Sequence, residues 1–322
     1  MTAARRAKAL LVAVALLFAA PAARAADTVI AGGVSSASAN LWPIYIGTRK
    51  GFFAEADIAV DLVFSPSNSA TIQQIVVNAI NVSIGSGLVD PIRAIEKGAP
   101  VAILRIEVRR PPYALLAQPA IKSMKALAGK IVSVGGAKDI TRLFLDRMLV
   151  ASGVDPKRVD MIFAGATSAR YSALQSGAAQ AAMLTAPYNF DAIAAGFTNL
   201  GLTADYVDMP FSGVATNRTW AMQNVGTLRR FLAVYTKSIG WLVDPANRRE
   251  AVDIMVSVSR LKADDVEHAY DFLVAGGFFE PTGRISKTRL DKVVDALKEL
   301  GDIPPGFVTE RLFLPEVTEL TE

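Results

Sequence analysis

The sequence predicts an α/β protein built as two lobes, and three observations carry that prediction. Apolar, β-branched runs alternate with helix-period segments from residue 28 to about residue 219, the signature of a parallel-rich sheet flanked by helices. Beyond that point the pattern changes to helices in succession. Finally, residues 71–98 and 169–196 repeat one layout at an offset of 98 residues.

TVIAGGV (28–34) and IAVDLVF (58–64) read as the first two strands. SNSATIQQIVVNAI places polar caps before Ile72, Ile75, Val76 and Ala79, the spacing of one helical face. VSIGSG returns to strand and loop. PVAILRIEV (100–108) is a further apolar run, ended by Arg109-Arg110-Pro111-Pro112. YALLA, KIVSV (130–134), the helix DITRLFLDRMLVASG and VDMIFAG (159–165) follow. Helices then cover VGTLRRFLAVYTKSIGWLV, NRREAVDIMVSVS, ADDVEHAYDFLVAGG and SKTRLDKVVDALKELG. In the last, Leu290, Val293, Val294, Leu297 and Leu300 form an apolar stripe, closed by Gly301.

The 98-residue echo reads, in each copy, as helix, short strand, small-residue loop and a second helix closed by Gly98 or Gly196. Its physical reading is two lobes on one plan, facing each other. The joining points would be EVRRPPY (107–113) and DYVDMPFSG (205–213). The expected division is a leader over 1–26, the first part of lobe 1 over 27–108, lobe 2 over 109–210, and a return to lobe 1 with C-terminal helices over 211–322.

The leader reads as a secretory signal. Arg5, Arg6 and Lys8 precede ALLVAVALLFAA, and Ala23-Arg24-Ala25 supplies the small residues of a cleavage site. Removing its four basic residues from the chain's 34 leaves 30, against 30 acidic ones. No basic excess remains to argue for nucleic acid or a membrane surface. Cysteine is absent, which excludes a lipidated Cys, a thiolate metal site and a Cys nucleophile. An unlipidated exported protein needs an outer membrane to retain it, so the periplasm is the expected compartment.

Searches for catalytic sets find little. His268 is the only histidine, so a His-rich metal site is excluded and a Ser-His-Asp triad would rest on that residue alone. No G-x-S-x-G occurs, and VSVGGAKDITRLF has neither nucleotide-binding glycine pattern. That segment leaves two readings open: backbone N–H groups at a Gly-Gly turn facing an anion, or Asp139 simply capping the helix. SPSNSATI (65–72) and GATSARY (165–171) are similar strand–polar loop–helix starts, and ligands in open α/β sheets sit at the carboxyl ends of strands.

SSASANLW (35–42) adds hydroxyls, an amide and a flat ring, a combination suited to holding a small molecule. The expected ligand-binding residues are Ser36, Asn40 and Trp42 from this loop, with Ser67 and Asn68 from the second helix start. Gly136, Thr167 and Tyr188 would face them from the other lobe, Tyr188 because the echo matches it to Asp90. Tyr45 and Pro43 read equally well as packing, whereas Trp42 is expected to stack on the solute from an open cleft. Arg105, Arg109, Arg142 and Arg170 are the candidate cations.

LWPIYIGTRKGFFAEADIAVDLVF, PPYALLAQPAIKSMKALAGKIVSV and ALQSGAAQAAMLTAPY together resemble the nitrate/sulfonate/thiamine-precursor family of periplasmic binding proteins. RKGFF and LAGKIVSV are its more specific parts, and the resemblance covers nearly all of the chain after the leader. It implies the type II periplasmic binding protein fold, two α/β lobes around a hinge and ligand cleft, delivering a solute to the membrane permease of an ABC importer. The family commonly has an acidic residue where this chain has Asn81-Val82-Ser83 and Ala179-Gln180-Ala181, which weakens any transfer of ligand identity. The expectation is a monomeric, non-enzymatic binding protein without cofactor, metal or nucleic acid. Its ligand would be a sulfonate, nitrate, an aromatic acid or a pyrimidine-like solute. The rival is an exported enzyme on the same fold acting on a pyrimidine or a chorismate-derived acid.

Overall fold

The computed structural model describes residues 25–34, 38–318 and 320–321. Nearly all of the leader, and Ser36, lie outside the described residues. The chain begins with β1 (Asp27–Gly33), α1 (Trp42–Arg49), α2 (Phe52–Glu55), β2 (Ile58–Phe64), α3 (Asn68–Val76), β3 (Val82–Gly87), α4 (Val89–Glu96) and β4 (Val101–Val108). It then passes through β5 (Ala114–Ala117), β6 (Ile131–Val134), α5 (Ile140–Ala151), β7 (Asp160–Phe163), α6 (Thr167–Gln175), β8 (Ala181–Leu184), α7 (Tyr188–Ala194) and β9 (Thr198–Leu202). After β10 (Ser212–Asn217) come α8 (Arg218–Gln223), α9 (Val225–Val243), α10 (Arg248–Ser259) and α11 (Ala263–Tyr270). A short pair, β11 (Ile285–Ser286) and β12 (Leu320–Thr321), flanks α12 (Lys287–Glu299).

The strands form two five-stranded sheets with the orders β2-β1-β3-β10-β4 and β7-β6-β8-β5-β9. In the first, β1 pairs in parallel with β2 and β3, and β10 runs antiparallel between β3 and β4. In the second, β6 pairs in parallel with β7 and β8, and β5 runs antiparallel between β8 and β9. The two sheets therefore have the same plan. The echo is its sequence trace, since residues 71–98 span α3, β3 and α4 while 169–196 span α6, β8 and α7.

β10 carried little signal in the sequence. SGVATN has few large side chains, yet all of it is buried. A Cβ added at Gly213 would lie 2.5 Å from the Arg105 carbonyl oxygen, so small residues are needed where this strand wedges between two neighbours.

The helices pack as their spacing dictates. On α9, Leu228, Phe231, Tyr235, Ile239 and Leu242 are buried at intervals of three and four, against Ile44 and Ile46 of α1. On α12, Leu290, Val293, Val294 and Leu297 are buried, but Leu300 closes the helix and is 36% exposed. The segment expected as one helix after Ala263 instead ends α11 at Tyr270 and continues as a π-turn, Asp271–Ala275.

The two layers touch on both flanks. Arg93 of α4 donates to the Lys138 carbonyl beside α5, and both Arg93 (2.5 Å) and Lys138 (3.3 Å) pair with Asp302. On the other side, the Phe190 ring of α7 lies 5.6 Å from Phe272 and 5.9 Å from His268. That ring contact gives the lone histidine a packing role.

Candidate functional site

In each sheet the carboxyl ends of the three parallel strands lead into helix starts, and α4 meets the turn before α5 where Arg93 donates to the Lys138 carbonyl. On the first side, Ser67 caps α3 by accepting from the Ala70 N–H at 3.2 Å. Asn68 opens that helix half-buried, and Ser69 donates to Asp90 of α4 at 3.1 Å. On the second side, Asp139 caps α5 by accepting from the Thr141 N–H at 2.9 Å. Burial, chiefly, pushes the Asp90 carboxyl up; Ser69 and Arg93 pull it down, and the Asp139 charge pushes it further up.

Gly135 and Gly136 make the turn before α5. A Cβ on Gly135 would lie 2.4 Å from the Asp139 carboxyl carbon, which explains the first glycine. The Gly136 carbonyl accepts from the Asp139 N–H at 3.1 Å. Of the two readings open in the sequence, Asp139 as a cap is the one observed.

Thr167 opens α6, and its hydroxyl accepts from Arg170 at 2.7 Å. Arg170 is 3% exposed and also donates to the carbonyls of Met183 (2.7 Å) and Gly165. Its guanidinium sits 5.7 Å from the ring of Tyr113, which in turn meets Phe211 edge-on at 5.4 Å. Tyr113 precedes β5 and Phe211 precedes β10, so this ring contact ties the two chain crossovers together. Tyr188 opens α7 half-buried, its ring 5.7 Å from Tyr171.

Asn40 lies in the 3₁₀ turn Ala39–Leu41, and its side-chain amide donates to the Gly85 carbonyl at 3.2 Å. Trp42 requires a correction. Expected in an open cleft, it is 2% exposed and stacks on Tyr270 at 6.4 Å with an interplanar angle of 20°. The physical reason is its position: it opens α1, whose inward face packs under the C-terminal helices. Nor do the other candidate cations stand free. Arg105 is 1% exposed and bonded to Thr236 and the Glu280 carbonyl. Arg109 bonds the Gly277 carbonyl, and Arg142 the Ala137 carbonyl.

The structure also draws notice to groups the sequence reading passed over. Ser86, Ser212 and Asn189 are each no more than 2% exposed, and their side-chain oxygens have no hydrogen-bond partner among the described residues. Ser86 and Ser212 sit at the same end of the first sheet, where Ser212 pairs with Gly87. Asn189 stands at the start of α7. Buried polar atoms left without partners are uncommon, and a bound polar molecule or water is the usual remedy. No sequence signal separates these residues from other buried serines and asparagines. Two surface hollows, of about 240 Å³ beside Arg147 and Lys292 and about 560 Å³ beside Asp155 and Phe163, receive none of the expected ligand-binding residues, though the candidate cation Arg142 lines the larger. Among the described residues no group of His, Asp and Glu could hold a metal ion.

Comparison with known proteins agrees with this architecture. The chain is 16% identical to the periplasmic aliphatic sulphonate binding protein SsuA from Escherichia coli, with a TM-score of 0.74 over 90% of this chain and 98% of that one. It is 16% identical to the periplasmic nitrate-binding protein NrtA from Synechocystis PCC 6803, with a TM-score of 0.72 over 88% and 84%. A DSZB mutant in complex with biphenyl-2-sulfinic acid shares 14% identity and a TM-score of 0.67 over 91% and 97%. The fold is therefore that of the periplasmic binding proteins. Among curated proteins, none matches this chain in sequence. The NMT1/THI5 like family pattern covers residues 38–248, from the Asn40 turn to the start of α10. The chain belongs to the NMT1/THI5-like family.

Proposed function

We propose that this protein is the periplasmic solute-binding component of an ABC importer, holding a small solute between its lobes and presenting it to a membrane permease. The observation that carries the reading is the pair of like-ordered sheets, whose layers meet where Arg93 of α4 donates to the Lys138 carbonyl before α5. Likeness to sulphonate- and nitrate-binding proteins along nearly the whole chain supports it. Asn40, Ser67, Asn68, Gly136, Thr167 and Tyr188 are the proposed walls, and Ser36, outside the described residues, is kept as a proposed ligand-binding residue. The unpartnered oxygens of Ser86, Ser212 and Asn189 are added to them. Trp42 supports the wall from behind. The residues named offer neutral donors and acceptors in the main, so a polar head group of either charge is accommodated by hydrogen bonding.

Thermal-shift titration with benzenesulfonate, nitrate, benzoate and uracil tests the reading. A solute at a hundred times its dissociation constant adds about 2.7 kcal/mol to stability. Stabilisation without chemical change of the solute is the expected result. Turnover of a probe would instead support the exported-enzyme alternative, and neither binding nor turnover of any of these solutes would count against both.

The joining segments 107–113 and 205–213, which contain most of the links from β4 to β5 and from β9 to β10, are the proposed hinge. Small-angle scattering should give a smaller radius of gyration with the stabilising solute than without it, as expected of hinge closure. An unchanged radius at saturation would oppose the hinge.

A further inference from the structure

Glu107 is fully buried on β4, two residues before the first crossover. One carboxylate oxygen accepts from the Tyr235 hydroxyl on α9, and the other accepts from the Gly85 N–H at 2.8 Å. Gly85 in turn receives the Asn40 amide on its carbonyl. It holds a left-handed φ of +67°, and a Cβ there would lie 2.7 Å from the Asn40 Cβ. Glu107 itself is held in place, because the Glu280 N–H donates to its carbonyl and the Arg109 N–H to that of Phe278, both at 2.8 Å.

We propose that Glu107 is a positioning residue: through Gly85 it fixes the Asn40 turn, which it does not touch, and so links the first crossover to the wall of the solute site. The functional consequence rests on the reading of Asn40 as part of that wall. The link itself does not. A carboxylate is suited to the task because it offers two acceptor oxygens to donors arriving from two different elements. A buried side chain needed only for packing would be apolar at less desolvation penalty.

Hydrogen exchange on the full chain without solute tests the link. Glu107→Gln keeps a carbonyl for the Gly85 N–H, and its amide can donate to the Tyr235 hydroxyl, which rotates to accept; exchange at Gly85 and residues 38–42 should stay near native. Glu107→Leu removes the acceptor, and exchange there should rise about tenfold or more, the equivalent of one lost buried hydrogen bond. Exchange in β6 of the second sheet should not follow. Should Glu107→Leu fail to fold, Gly85→Ala strikes the same link from its far end, and the same local rise is expected. Native exchange at 38–42 in either variant, or a rise spread equally into β6, would overturn the proposal. Because no solute is present, that failure is distinct from a failure of the solute panel.

Discussion

Trp42→Ala is expected to destabilise the fold by about 3–5 kcal/mol, the range for truncating a large aromatic in a packed core. The ring is 2% exposed, stacked on Tyr270, and surrounded by Leu41, Ile44 and the C-terminal helices. Its removal leaves a cavity between α1 and α11 that the rigid helix start cannot fill. Trp42→Phe retains part of the stacking and should lose appreciably less. Equilibrium urea unfolding of the three proteins measures this directly. A native midpoint for Trp42→Ala would show that the ring contributes no core packing. Any loss of solute affinity in that variant should follow from displacement of the neighbouring Asn40 turn.

Stability should also fall as pH rises from about 4.5 to about 7. Burial pushes the Glu107 carboxyl up from 4.5 to about 7, with Tyr235, Arg105 and the Gly85 N–H pulling the other way. The folded state therefore binds the proton that the unfolded chain has already released in this window, so its advantage is present below 4.5 and lost by 7. The span corresponds to about 3 kcal/mol. Tyr235 is itself pushed well above its usual range by burial, so it remains a neutral donor throughout. The groups facing Glu107 are thus Arg105 on its own strand and Tyr235 on α9, with Glu280 acting on Arg105. Asp90, Asp146 and Asp191 are also pushed up and act in the same direction, whereas Asp208, Asp271 and Asp291 are pulled down and matter only at more acid pH. Glu107→Gln should flatten most of the slope between about pH 4.5 and 7 in urea unfolding. An unaltered slope would show that the burden lies elsewhere.

What the sequence revealed of the fold was what periodicity can carry. The strand–helix alternation, the α12 stripe and the 98-residue echo all depend on regular spacing, and all correspond to observed elements. β10 escaped because the space between β3 and β4 demands small residues, which erases the β-branched signal. The site was less legible. Ser67 and Asp139 advertised helix starts but are occupied as caps, and Trp42 advertised stacking but is part of the core. Ser86, Ser212 and Asn189 stand out only because nothing answers their oxygens, a property of three-dimensional surroundings that no local pattern encodes.

The interleaving of the sheets has a consequence for how the chain must fold. In the first sheet, β4 has β10 as its sole strand neighbour, and Val108 of β4 pairs with Ser212 of β10, 104 residues later in the chain. As residues emerge from the N-terminus, all five strands of the second sheet are available once Leu202 has appeared, whereas the first sheet still waits for Asn217. The later-encoded lobe can therefore complete itself first, reversing the usual order. Until then VAILRIEV, apolar but for Arg105 and Glu107, is an eight-residue strand with an unsatisfied edge, the kind of segment that pairs with another copy if left uncovered. Slow closure of the first lobe through this long-range pairing sets the interval over which the nascent chain needs protection from itself.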